Sequence, residues 1–115
     1  MLTPLELDVM KTVWHGAPIT VRDVQIALRP VRKLAYTTVM TIMNRLYHKG
    51  FLTRTLRSRA HLYEARVPYT EVREGAINGL IDNFFGGSRE KLQEFLEGDP
   101  VTGTDHHVPL DETLL

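Results

Sequence analysis

LAYTTVMTIMNRLYHKG, residues 34–50, is the stretch that decides the fold. Val39, Ile42, Met43 and Leu46 recur at three- and four-residue steps, which predicts a helix over about 36–49, closed by Gly50. At about 100° per residue these four centre roughly 190° from Thr37. Thr37, Thr41, Asn44 and His48 gather on the opposite face, with Met40 and Arg45 on its flanks. A solvated helix face usually carries Glu and Lys. This one is small, hydrogen-bonding and free of carboxylates, and two adjacent threonines, Thr37 and Thr38, lower its helix propensity. Either a threonine caps an ordinary exposed helix, or the face is shaped for a partner.

Upstream, Thr3-Pro4-Leu5-Glu6 reads as a helix start, with threonine as N-cap, proline at N1 and glutamate completing a capping box. A helix over about 4–14 follows, stopped by Gly16 and Pro18. Ile19 is a lone apolar residue suited to a very short strand. Thr20 opens a second helix with Val21, Val24 and Leu28 inward, ended by Pro30. Residues 29–33 form a short basic loop. Downstream, two runs rich in β-formers, 51–56 and 61–67, flank Arg57-Ser58-Arg59-Ala60 and read as a hairpin of uncertain turn type. The expected class is therefore mainly α with a small β-hairpin: a winged helix-turn-helix domain followed by helices. In such a fold the third helix enters the DNA major groove and the wing lies along the backbone.

The face suits that role. Arginine bonds a guanine edge bidentately, asparagine pairs with adenine, and threonine offers a hydroxyl and a methyl for thymine. The expected DNA contacts are Tyr36, Thr37, Thr38, Thr41, Asn44, Arg45 and His48 on the helix. Lys33, Arg54, Arg57 and Arg59 are expected on phosphates, beside Arg29 and Arg32. Phosphate contacts position a protein on the duplex without reading sequence.

Charge divides the chain at Pro68. Residues 1–68 hold 11 Lys+Arg and 4 Asp+Glu, a net +7, and residues 69–115 hold 3 and 10, a net −7. A basic module joined to an acidic one suggests a polyanion-binding half and a half with another task. Three regions are expected: 1–68, the winged helix; 69–98, helices for dimerisation; and 99–115, a mobile tail rich in breakers. In the second region Val72, Ala76, Leu80 and Phe84 step by four, with Ile77 and Ile81 alongside, and then come Phe85, Leu92, Phe95 and Leu96. These amphipathic helices lack a domain of their own to bury against. Either two copies share one core, which Gly75 and Gly79 suit by allowing close approach, or the helices fold back on their own winged helix.

With no cysteine among 115 residues, disulfides, thiolate zinc sites and cysteine nucleophiles are excluded, which fits a reducing cytoplasm. Neither a signal peptide nor an apolar run of the roughly 20 residues of a membrane span is visible. No phosphate loop, paired-His metal motif or nucleophile elbow appears, so an enzyme is not expected, nor a cofactor.

The segments LTPLELDVMKTVW, ITVRDV, LAYTTVMTIMNRLYHKGFLTR and FFGGS together resemble the penicillinase-repressor family, the BlaI/MecI/CopY group of bacterial winged-helix repressors, over about residues 2–97. The resemblance implies a homodimeric repressor on a palindromic double-stranded DNA operator, released by a signal. In its β-lactam branch a sensor-linked protease triggers cleavage at an Asn–Phe bond, and Asn83-Phe84 is such a bond. Packing explains Phe84 as well, since it continues the apolar stripe. The copper branch binds metal through C-terminal cysteines, which are missing here. His106-His107 is the remaining ligand pair, and no metal site is expected from it. The rival readings are a winged helix used for protein–protein contact and a ligand-sensing regulator, although nothing in the sequence marks a ligand cavity.

Overall fold

Thr3 opens the first helix with both halves of the capping box in place. Its Oγ1 accepts from the Glu6 amide at 3.1 Å, and its own amide donates to Glu6 Oε1 at 2.9 Å. The computed structural model describes residues 1–98; the expected tail, with His106-His107, lies outside them. Helix α1 spans Pro4–Gly16, two residues beyond the expected end, because glycine still accepts helical geometry and the Ala17 amide bonds back to Val13 O at 2.9 Å. Helix α2 spans Val21–Leu28, capped by Thr20 accepting from the Asp23 amide.

Helix α3 spans Tyr36–His48. Its N-cap is Ala35, without a side-chain cap, so Thr37 and Thr38 lie inside the helix and cap nothing. Gly50, at φ +89°, supplies the left-handed turn that ends the helix. The Phe51 amide then bonds to Leu46 O at 2.9 Å and starts the wing.

The wing is an antiparallel pair, β1 (Leu52–Arg57) and β2 (Ala60–Ala65), with Arg54 opposite Tyr63 and Leu56 opposite His61. The strands meet one residue closer to the tip than expected, so Arg57 and Ala60 pair and only Ser58 and Arg59 form the loop. Ile19 adds the expected lone strand residue, exchanging backbone bonds of 3.1 and 2.8 Å with Tyr63. Ser58 and Arg59 have φ +48° and +71°, the signature of a type I′ turn, which favours asparagine followed by glycine. The double substitution Ser58→Asn with Arg59→Gly is expected to stabilise the fold by about 1 kcal/mol. Thermal melting checks this; an unchanged melting temperature contradicts the turn assignment.

Val9, Met10, Val13, Ile19, Val24, Leu28, Val39, Ile42, Met43, Leu46, Leu52 and Tyr63 all belong to one buried cluster drawn from the three helices and the wing. Trp14 closes its end: its indole N–H donates to Val67 O at 2.9 Å, and its ring meets Tyr69 edge-on, centroids 5.3 Å apart.

Two more helices follow, α4 (Tyr69–Phe84) and α5 (Arg89–Glu97). The chain divides into two compact units, Met1–Val72 and the part from Arg73 on. In the second, Ser88 caps α5 by accepting from the Lys91 amide, and Arg89 donates to Asn78 at 3.1 Å. Phe85 and Phe95 pack with centroids 5.7 Å apart. Of the residues expected at a dimer contact, Ile81 is already buried and Val72, Ile77, Phe85 and Leu92 are half-buried. Ala76, Leu80, Phe84, Phe95 and Leu96 are exposed, with Phe84 at 75% and Leu96 at 71%. Among the described residues, no helix is long and apolar enough to cross a membrane.

Candidate nucleic-acid interface

The same stripe that sinks Val39, Ile42, Met43 and Leu46 into the core turns the opposite face of α3 outward. Tyr36, Thr37, Thr38, Met40, Thr41, Asn44, Arg45 and His48 are all exposed. From Tyr36 to His48 the helix carries no acidic residue. Lys33 is exposed just before it, and Arg57 and Arg59 are exposed at the wing tip. A groove between α3 and the wing is lined by Met40, Thr41, Asn44, Arg54, His61 and Tyr63. A neighbouring hollow runs from the start of α2 past Tyr36 to Arg59. The structure thus brings Thr41, Asn44 and Arg54 to one groove and Tyr36 to the neighbouring hollow, while Thr37, Thr38, Arg45 and His48 are exposed on the helix outside both.

Several of these side chains are held by neighbours that the sequence did not announce. Thr41 donates its hydroxyl to Thr37 O at 2.9 Å, so it faces outward with oxygen lone pairs and a methyl. The Arg22 guanidinium sits 5.0 Å over the Tyr36 ring. Arg54 lies over the Tyr47 ring at 3.9 Å and donates to Asn44 Oδ1 at 3.0 Å. Its guanidinium is therefore engaged within the protein. Arg32 is likewise tied down, by Asp8 at 2.7 Å.

Glu6 is the largest surprise. Beyond its cap role it is 2% exposed, the one buried charged residue of the described chain. Lys49, just past the end of α3, donates to both its oxygens at 3.1 and 3.0 Å, and Arg45 approaches to 4.0 Å. Burial pushes the Glu6 carboxyl up, but hydrogen bonds from the Thr3 backbone and Lys49, with the ammonium charge, hold it below its ordinary value. A carboxylate from α1 thus anchors the far end of the recognition helix. The signal was present: Glu6 falls on the 6, 9, 10, 13 stripe of α1, whose other members are core. His61 was also missed, because strand alternation places it on the groove side only once the register is known.

Fold and face together define a winged-helix DNA-binding regulator. A sequence model described as penicillinase repressor matches residues 2–108. The chain is similar to the transcriptional regulator BlaI of Mycobacterium tuberculosis, 46% identical over 99 residues, which are 84% of this chain and 72% of that protein. It is 25% identical over 105 residues to the penicillinase repressor of Bacillus licheniformis, covering 90% of this chain and 82% of that one. The solution structure of the DNA-binding domain of the repressor BlaI matches with a TM-score of 0.56 at 25% identity, covering 62% of this chain and 87% of that one. Monomeric B. licheniformis BlaI in complex with the blaP half-operator matches at 0.53, with the same identity and coverage. The chain belongs to the penicillinase repressor family and is a winged-helix transcriptional repressor.

Proposed function

We propose that the repressor acts in the cytoplasm as a homodimer on an inverted-repeat operator in double-stranded DNA. Each α3 reads one half-site, and each wing holds the flanking backbone. The observation that carries this is the carboxylate-free outer face of α3 beside the exposed Arg57 and Arg59 of the wing. Thr37, Thr38, Thr41, Asn44, Arg45 and His48 meet base edges, with Tyr36 at the groove entrance. Lys33, Arg57 and Arg59 meet phosphates. A relative bound to a half-operator as a monomer supports one copy per half-site. The exposed Leu80, Phe84, Phe95 and Leu96 form an apolar face that a second copy covers, and the acidic helices keep that region off the duplex. Residues 1–68 are the reading domain, 69–98 the dimerisation segment, and 99–115 an appended tail. Release by a sensor-linked protease fits the exposed Asn83-Phe84 bond, since a cut there removes part of the shared face.

Selection of bound duplexes from random-sequence DNA, followed by salt titration of the winner, tests this reading. An inverted repeat is expected. Arg45→Ala should cost about 1–3 kcal/mol and relax preference at one position of each half. Phe84→Asp should leave half-site preference but abolish selection for the repeat. Sequence-blind binding that vanishes at moderate salt contradicts the proposal and favours a general polyanion surface.

A further inference from the structure

Arginine has no acceptor atom, so the group of the Asn44 amide that faces the Arg54 guanidinium at 3.0 Å is its oxygen. The planar amide then carries its NH2 on the other side, and among the described residues that NH2 has no hydrogen-bond partner. Asn44 lines the groove between α3 and the wing. The Arg54 fork cannot easily move away, because its face rests 3.9 Å above the Tyr47 ring and its strand position is set by pairing with Tyr63. A guanidinium donating to an amide oxygen also polarises the amide and strengthens its free N–H donors.

We propose that Arg54 is a positioning residue that locks the Asn44 amide with its donors turned to the groove, so that Asn44 selects guanine, whose edge presents two acceptors, over adenine, whose edge presents one acceptor and one donor. This rests on the DNA-reading role of α3 and deepens it. Adenine offers the major groove one acceptor and one donor, and an asparagine that reads it bidentately must supply its oxygen. Here that oxygen faces Arg54 and one of its lone pairs accepts a charge-assisted bond. Guanine N7 and O6 are both acceptors and match the two donors of the free NH2. The wing therefore sets sequence preference through α3 without touching the base, and Arg54 adds nothing to the count of phosphate contacts.

The test repeats duplex selection with the full-length chain and with Asn44→Ala, Arg54→Gln, Arg54→Lys and Tyr47→Leu. Melting curves confirm that each variant is folded at the assay temperature. Asn44→Ala identifies the position that Asn44 reads as the one whose preference relaxes. At that position the wild-type chain is expected to choose guanine over adenine by about tenfold. Arg54→Gln and Tyr47→Leu should erase that preference, leave the other positions unchanged and leave the salt slope within error. Arg54→Lys, which keeps the charge but not the fork, should behave as Arg54→Gln does. An A·T pair in either orientation at the Asn44 position in the wild-type selection overturns the proposal. So does a salt slope flattened by about 1 in Arg54→Gln but not in Arg54→Lys, with base preference intact, because that is the behaviour of a phosphate clamp. If the wild-type chain selects no sequence at all, the DNA-reading role itself fails, which is a separate result.

Discussion

Leu46→Ala is expected to lower the stability of the winged-helix unit by about 2–5 kcal/mol, the range for emptying a fully buried leucine site. Leu46 is 0% exposed and sits with Met43 and Ile42 on the face that docks α3 against α1 and α2. A unit of this size has a total stability of only about 4–10 kcal/mol, so the loss is a large share of it. Because the same helix carries the DNA face, operator binding should fall in step with the folded fraction. Urea denaturation at fixed protein concentration, with affinity measured in parallel, checks both. Thr41→Ala on the opposite face is the control: stability within about 0.5 kcal/mol of wild type, with any loss confined to DNA binding. A Leu46→Ala chain that unfolds at the wild-type midpoint contradicts the placement of α3.

Removing Lys49 should have the second-largest effect. Lys49→Met leaves the Glu6 carboxylate buried, with its cap bond to Thr3 and Arg45 at 4.0 Å as the remaining compensation. The expected cost approaches about 3 kcal/mol, the lower end for stripping a buried charge, since Arg45 stays close and Lys49 is itself partly solvated. Glu6→Gln keeps the acceptor for the cap and removes the charge. Combined with Lys49→Met it should recover part of the loss, because no unpaired charge is then buried. The Glu6 carboxyl sits below its ordinary value in the folded state. Its contribution is therefore complete above the unfolded value of about 4.3 and is lost as pH falls through the folded value. Glu6→Gln should flatten the acid limb of stability below about pH 4 and leave the curve near neutrality parallel to wild type. Denaturant midpoints measured from about pH 3 to 7 decide this; an unchanged acid limb removes Glu6 from the account.

Both predictions involve residues whose burial could be read from sequence to different degrees. Leu46 could be read directly, as one of four apolar residues on a helical stripe. Glu6 lies on the stripe of α1 that is otherwise core, but a glutamate at N3 satisfies the capping-box pattern whether it is buried or solvated, so its burial was less plainly marked.

The sequence by itself determined the elements, their order and the two faces of α3. Those depend on local rules: 3.6-residue periodicity, caps at Thr3 and Thr20, and breakers at Pro18, Pro30 and Gly50. It also determined the basic and acidic halves, and with them the polyanion-binding character of the first. What only the tertiary structure decided is how side chains far apart in the chain restrain one another. Lys49 reaches Glu6 across 43 residues, Trp14 reaches Val67 across 53, and Arg54 crosses from the wing to Asn44 on the recognition helix. Composition records the charges of Arg32 and Arg54 but not their partners, Asp8 for the first and Asn44 with the Tyr47 ring for the second. Partners are set by strand register and helix docking, which place residues distant in sequence within hydrogen-bond reach. In this repressor such contacts tie the exposed face of α3 to the wing, through Arg54 and Asn44, and its far end to α1, through Lys49 and Glu6.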